Sequence, residues 1–269
     1  MSDRVITHVE NGIAEVCLNR PDRHNALDMD MFESVLAAGK ALVERRDLRA
    51  VILRGEGKSF CSGIDYPSFI AAGIDIQQAL FGIEDNGANR AQMAALIWRK
   101  IPVPVIGAIQ GVAFGGGLQI AAGADIRIAA PDARLSIMEV KWGLIPDMGA
   151  TLTLANQIGI DRAKELTFTG RIVNGSEAAG LGLVTRTDAD PLAAAHTLAG
   201  EIAGQSPDAV RGAKTLFEQA WQIDRTRAMS LEADLQRTML SSRNQQEAVR
   251  AAMEKRTPEF TDPPETSVP

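Results

Sequence analysis

From Ile101 to Ala124 the chain carries no charged side chain, and three consecutive glycines, Gly115, Gly116 and Gly117, stand inside that stretch. A run of this length and polarity could cross a bilayer. It also holds Pro102, Pro104, Gln110, Gln119 and six glycines, which disfavours a membrane helix and predicts a buried strand, a glycine turn and a short helix of a soluble domain. A unit buried on every side needs other elements wrapped around it, and the flanking sequence supplies them. VITHVE and IAEVCL, joined at Asn11–Gly12, predict two strands. Phe32, Val35, Leu36, Gly39 and Val43 keep helical spacing from about Asp28. AVILR predicts a strand entering the turn GEGKSFCSGID, and DIRIAA a further strand. Strand, glycine turn and helix thus recur at roughly fifty-residue intervals, the range of a repeating supersecondary unit.

Other regions are less regular. Residues 66–90 predict a variable loop or an irregular helix. Beyond about residue 190 the pattern is helical only, with one stripe at Val210, Ala213, Phe217 and Ala220 and another at Leu231, Leu235 and Met239. Such stripes either cap their own core or dock on a neighbouring subunit. The tail TPEFTDPPETSVP predicts poor order toward its end.

With 269 residues the chain can bury a large core. Its net charge of −6 argues against a nucleic-acid surface, though not against a small anionic ligand. Cys17 and Cys61 lie in no metal or redox spacing, and MSDRVITHVE shows no signal peptide; a reduced, cytoplasmic location is therefore expected.

Several motifs fail on inspection. GEGKS has Ile52 where a phosphate loop requires its first glycine. Neither Gly55–Gly57 nor Gly115–Gly117 extends to GxGxxG, because Phe60 and Ile120 take the third positions. GKSFC lacks the second glycine of a nucleophile elbow. His8, His24 and His196 are isolated, so no metal site is predicted.

Three segments remain. SFCSGID is a tight turn after a strand, AFGGGLQ opens a helix at Gly116, and SIMEVKWGLIPDMGAT carries Glu139 and Asp147. Free backbone N–H groups in the first two could converge on one oxygen. Glu139 lies among Met138, Val140 and Trp142, which suggests an apolar setting suited to acid–base work. An extended SIMEVKW with Glu139 on a solvated face is the competing reading. Asp147 is either a second acid–base group or the cap of a helix beginning near Thr151. Cys61 reads as core and Tyr66 as pocket wall.

NRPDRHNALD, GEGKSFCSGID, PVIGAIQGVAFGGGLQIAAGADIRIA and MEVKWGLIPDMGAT, in this order, resemble the crotonase superfamily, the enoyl-CoA hydratase/isomerase group, from about Val5 to Phe260. The resemblance implies an α/β fold, a ClpP/crotonase-like ββα spiral core over residues 1–200. A helical trimerisation region over residues 201–269 would follow, giving a homotrimer or a dimer of trimers. It also implies an acyl-CoA substrate, no metal and no cofactor beyond that thioester. The N–H groups of Ile64 and Gly116 would bind the thioester oxygen. Backbone around His24, Ala26 and Ser62, with Asp65 and Tyr66 nearby, would hold CoA, and Lys255 would reach the CoA of an adjacent subunit.

The resemblance carries one departure. Hydratases of the family commonly use two glutamates; Glu139 matches one, and Gln119 stands in place of the other. An amide can orient water but exchanges no proton near neutral pH. The common activity of the family implies hydration of a trans-2-enoyl-CoA in fatty acid metabolism. Gln119 points instead to an enoyl-CoA or dienoyl-CoA isomerase using Glu139, with Asp147 where some dienoyl-CoA isomerases of the family carry a catalytic aspartate. A weakly catalytic acyl-CoA binding protein is the third alternative.

Overall fold

Asn11 and Gly12, both at positive φ (50° and 77°), make the tight reversal that pairs β1 (Val5–Glu10) antiparallel with β2 (Ile13–Leu18). The structure, a computed structural model, describes residues 3–85, 87–154, 157–240 and 242–264. Asp28 then caps α1 (Met29–Val43) by accepting a hydrogen bond from the Met31 N–H, and Met31, Phe32, Val35, Leu36, Gly39 and Leu42 form its buried stripe. β3 (Ala50–Gly55) returns parallel to β2.

Residues 66–90 are more regular than their periodicity suggests. They hold α2 (Tyr66–Ala71), α3 (Ile76–Leu80) and a small hairpin of β4 (Ile83–Asp85) and β5 (Ala88–Asn89). α4 (Arg90–Lys100), opened by an Asn89–Gln92 capping box, leads into the charge-free stretch. That stretch folds as β6 (Val105–Ile109), β7 (Val112–Phe114) and α5 (Gly116–Ala122), and every α5 residue after Gly116 is buried. No helix among the described residues is long and apolar enough to cross a membrane.

β8 (Ile126–Ala129) and β9 (Arg134–Ser136) follow, then a 3-10 turn over Glu139–Trp142 and α6 (Ala150–Thr153). After α7 (Ile160–Thr169), β10 (Val173–Asn174), α8 (Gly175–Leu181) and β11 (Arg186–Thr187), only helices remain: α9 (Pro191–Ala203), α10 (Pro207–Ala220), α11 (Arg225–Leu240) and α12 (Arg243–Glu254).

The main sheet runs β1-β2-β3-β6-β8-β11, parallel except for β1, and a second sheet runs β10-β9-β7. The repeat is a strand of the main sheet, a strand or single bridge in the second layer, then a helix. β6, β7 and α5 give one copy. β3 gives another, followed by the Cys61–Ala113 bridge and α2, and β2 a third, followed by the Leu27–Ile64 bridge and α1. The unit is structural rather than metrical, since its main-sheet strands start at Ile13, Ala50, Val105 and Ile126. Both faces of the main sheet are covered. Val51 and Leu53 face the principal core, whereas Ala50, Ile52, Ile106 and Ile128 pack on Ala195 and Ala199 of α9, which is why these strands read as unbroken apolar runs.

α10 is tied back to this core. Lys214 donates to the Trp98 and Val103 carbonyls and pairs with Asp125 at 2.7 Å, while Arg211 donates to the Arg45, Arg46 and Leu48 carbonyls. Of the two C-terminal stripes, Leu235 is buried, but Phe217 and the nearby Trp221 stay about two-thirds exposed in the single chain. The tail is more tied down than its composition suggests. Asn244 bonds both the N–H and the carbonyl of Thr261, and Arg49 pairs with Asp262 at 2.6 Å. The end expected to be poorly ordered, residues 265–269, lies outside the described residues.

Candidate active site

Arg20, 7% exposed, organises the first wall of the site. Its guanidinium pairs with Asp65 at 2.7 Å and Asp28 at 3.5 Å and donates to the Ala26 carbonyl and Ser68 Oγ. Asn25, fully buried at φ 55°, donates to the Glu56, Ser59 and Phe60 carbonyls. Together they clamp the 20–28 loop onto the 59–68 turn, and the Ser62 N–H reaches the His24 carbonyl at 3.0 Å. The backbone at His24, Ala26 and Ser62 is therefore brought together. Asp65 has a different occupation: it caps α2, and although burial opposes ionisation, bonds from Ser68 and Arg20 hold its carboxyl below the usual carboxylate range. Lys255 is exposed at the C-cap of α12, in the left-handed region at φ 54°.

The two candidate amides lie in adjoining turns. The Leu27–Ile64 bridge uses the Gly63 carbonyl and the Asp65 N–H, at 2.8 and 3.0 Å, so the N–H of Ile64 itself points away from Leu27. Gly116 is the first residue of α5, whose N–H has no intrahelical acceptor. A methyl group built on Gly63 would stand 3.6 Å from the Gly116 nitrogen and 2.7 Å from the Phe114 carbonyl oxygen.

Each of the three glycines also has a structural reason of its own. Gly115 adopts φ 51°, ψ −122°, a region essentially closed to side chains. A Cβ on Gly116 would meet Met148 Sδ at 2.7 Å, and one on Gly117 the Cys61 carbonyl oxygen at 2.3 Å. Close approach of protein to protein accounts for Gly116 and Gly117, and backbone conformation for Gly115, without any ligand.

Glu139 sits below this turn, 8% exposed. The extended reading of SIMEVKW is corrected, because the residue opens a 3-10 turn. Nor do its sequence neighbours bury it: Val140 and Trp142 are 41% and 70% exposed. Gln119 of α5 and the Gly115 turn lie against its carboxylate, and α7 packs on the 139–142 turn. Gln119 Nε2 donates to Glu139 Oε1 at 2.6 Å, while Gln119 Oε1 accepts the Met148 N–H at 2.8 Å. Glu139 Oε2 is buried without a protein partner among the described residues. Burial pushes the Glu139 carboxyl above its ordinary range and the negative charge of Asp147 adds to this, opposed by a backbone hydrogen bond and the Gln119 amide. Burial likewise raises the Asp147 carboxyl. Tyr66 is raised by burial and by the charges of Asp147 and Glu139. Asp147 is not a helix cap: the residue before α6 is Gly149, in the left-handed region, with no side-chain cap. Cys61 is fully buried and its thiol is pushed up to about 12 by desolvation, a core residue.

Arg20, Asn25 and the Met148 N–H were not singled out from sequence. The first two stand in NRPDRHNAL, where an arginine and an asparagine amid turn residues are the available signal. A backbone donor leaves none. Among the described residues no group of three or more His, Cys, Asp or Glu is placed to hold a metal.

A ββα spiral with two amide turns over a buried carboxylate defines a crotonase-fold protein, and comparison with known proteins agrees. The enoyl-CoA hydratase/isomerase family model matches residues 8–263, and the chain belongs to this family of enzymes. It is 33% identical to the human mitochondrial enoyl-CoA hydratase domain-containing protein 2, over 96% of this chain and 88% of that one. It is also 33% identical to the peroxisomal Delta(3,5)-Delta(2,4)-dienoyl-CoA isomerase of Arabidopsis thaliana, over 94% of both chains. The crystal structure of an enoyl-CoA hydratase from Bacillus anthracis superposes with a TM-score of 0.88 at 30% identity, covering 96% of this chain and 99% of that one. The expectation of a cytoplasmic location is corrected by these relatives, among which are mitochondrial and peroxisomal proteins. Cysteine usage does not separate those compartments from the cytoplasm.

Proposed function

We propose that the protein shifts a double bond within an enoyl-CoA thioester. The observation that carries this reading is the Gln119–Glu139 hydrogen bond of 2.6 Å. The position that would hold a second carboxylate across a water molecule holds an amide, with its oxygen already engaged by Met148. The thioester oxygen accepts the N–H groups of Ile64 and Gly116. Glu139 Oε2 removes a proton from the acyl chain, the electron pair passes into a thioester enolate held by those amides, and a proton returns two carbons away. Asp147, itself raised by burial and adding its charge to the rise at Glu139, is the second carboxyl available for that return. CoA lies along the backbone at His24, Ala26 and Ser62 beside Tyr66. In this reading residues 201–269 are the oligomerisation region, the exposed Phe217 and Trp221 face a neighbouring subunit, and Lys255 reaches that subunit's CoA. The Arabidopsis isomerase supports the reaction type.

Hydration of a 2-enoyl-CoA is the second reading, favoured by the same Asp147, which could stand in as the missing carboxylate on water. One assay separates them. A 3-enoyl-CoA gains the conjugated enoyl absorbance if the double bond moves, whereas a 2-enoyl-CoA loses it on hydration. Loss from the 2-enoyl-CoA without gain from the 3-enoyl-CoA overturns the isomerase reading. Binding of an acyl-CoA with neither change overturns both in favour of a weakly catalytic binding protein.

A further inference from the structure

Gln119 departs from the residue type that the resemblance calls for, yet it is 2% exposed and fully engaged. Its orientation follows from chemistry. The Met148 N–H can only donate, so the atom 2.8 Å from it is the amide oxygen, and the NH₂ group is thereby turned toward Glu139. An NH₂ group donates a hydrogen bond and accepts no proton near neutral pH. Oε1 of Glu139 is occupied, and Oε2 is the oxygen left without a partner.

We infer that Gln119 is a positioning residue: it fixes Oε2 of Glu139 as the proton-transferring atom by holding Oε1 with an amide that the Met148 backbone keeps from turning over. This rests on the reading of Glu139 as the base. It assigns Gln119 a part that neither an ionised glutamate nor an apolar residue could fill. A glutamate would bring a second proton carrier against Oε1, and an apolar residue would leave the carboxylate free to rotate and the Met148 N–H unpaired. Beyond burial, the Asp147 charge raises the Glu139 carboxyl, and the Tyr66 phenol is raised by burial and by the charges of both; α5 presents the neutral Gln119, and the turn before it Gly115, whose added Cβ would lie 3.4 Å from Oε1.

The test uses the full-length protein with Gln119→Ala and Gln119→Glu. Losing one hydrogen bond to an ionised carboxylate moves its titration up by about one pH unit, a tenfold loss of the ionised form on the acid side. In Gln119→Ala the acid limb of kcat against pH therefore moves up by about one unit, while KM stays within about twofold. Gln119→Glu keeps an acceptor for Met148 but places two carboxylate oxygens at hydrogen-bond distance, tolerated only when they share a proton. Its acid limb moves further up. The readout independent of turnover is the ¹³C resonance of the Glu139 carboxyl in glutamate-labelled protein, assigned by its absence in Glu139→Gln. Its midpoint is expected to rise from wild type to Gln119→Ala to Gln119→Glu.

If Gln119→Ala leaves both the resonance midpoint and the acid limb in place, the positioning role is refuted, whatever happens to kcat. If the resonance shifts while wild type moves no double bond, or while the acid limb stays put, the role in holding Glu139 stands and the assignment of the base fails. Should Gln119→Ala not fold, Gln119→Glu alone decides, and an unshifted midpoint there refutes the inference.

Discussion

Glu139→Gln separates what this carboxylate does for the reaction from what it does to the fold. The substitution is nearly isosteric, and the new amide can accept the Gln119 N–H through its oxygen while its NH₂ occupies the place of Oε2, which now lacks a partner. Proton transfer is lost, a fall in kcat on the order of a hundred- to ten-thousandfold. Stability is expected to move the other way. The partnerless position costs about 1–3 kcal/mol whether an oxygen or an NH₂ occupies it, so the difference lies in the charge, and for a chain of this size each kcal/mol is worth about 2–4 °C in Tm. The sign depends on pH. Burial holds the Glu139 carboxyl above its ordinary value, so the folded state keeps its proton longer than the unfolded chain does. The favourable contribution is complete below the ordinary glutamate range and is lost as pH rises through that range to the raised folded value. Glu139→Gln has no such loss. Its Tm should match wild type in acid and exceed it near neutral pH, read by thermal melts across a pH series beside the absorbance assay. A variant that melts below wild type at neutral pH, or by a margin that does not change with pH, would refute the argument that burial sets this carboxyl.

Gly63→Ala tests the adjoining turns: at φ 88°, with a methyl 2.7 Å from the Phe114 carbonyl oxygen, it should cost about 1–3 kcal/mol in urea unfolding. By displacing the Ile64 amide it should also lower kcat on the order of a hundredfold, and kinetics at wild-type level would remove that amide from the site. Arg20→Met leaves Asp65 without its cation, whereas Asp28 keeps Arg4 at 2.7 Å; stranding the Asp65 carboxylate should cost about 3–5 kcal/mol and weaken acyl-CoA binding measured by calorimetry. Unchanged binding would mean that the 20–28 loop does not hold CoA. Burial pushes both Cys17 and Cys61 up to about 12, so an aromatic disulfide reagent at pH 8 should label neither in native protein and both after denaturation. Rapid labelling of the native chain would contradict their burial.

Those parts of the fold written in local chemistry were legible in the sequence. Asn11–Gly12 dictates a hairpin, Asp28 begins a helix, and a charge-free run broken by prolines, glutamines and glycines reads as interior strand and helix rather than as a membrane span. Glu139, Gln119 and Asp147 were legible as candidates, but their environment was not. The apolar neighbours of Glu139 suggest an apolar setting, but the 3-10 turn at Glu139–Trp142 sends Val140 and Trp142 outward. Asp147 resembles a cap because aspartate before a helix commonly is one, but Gly149 in the left-handed region starts the helix later. The glycine triplet invited a ligand-based explanation, whereas the contacts with Met148 and the Cys61 carbonyl are between segments far apart in sequence.

Gln119 also changes how Glu139 and Asp147 must be compared. The backbone N–H that orients the amide belongs to Met148, the residue directly after Asp147. A shift of the 147–149 turn therefore moves Asp147 and releases the Gln119 oxygen together, and a released Gln119 no longer holds Oε1 of Glu139. The two carboxylates are mechanically joined through a side chain that cannot itself carry a proton. Groups joined in this way do not contribute additively. A substitution at Asp147 that disturbs its backbone will lower activity through Glu139 even if Asp147 never touches a proton. Only a side-chain change that keeps the turn, Asp147→Asn, can assign it a proton-carrying role.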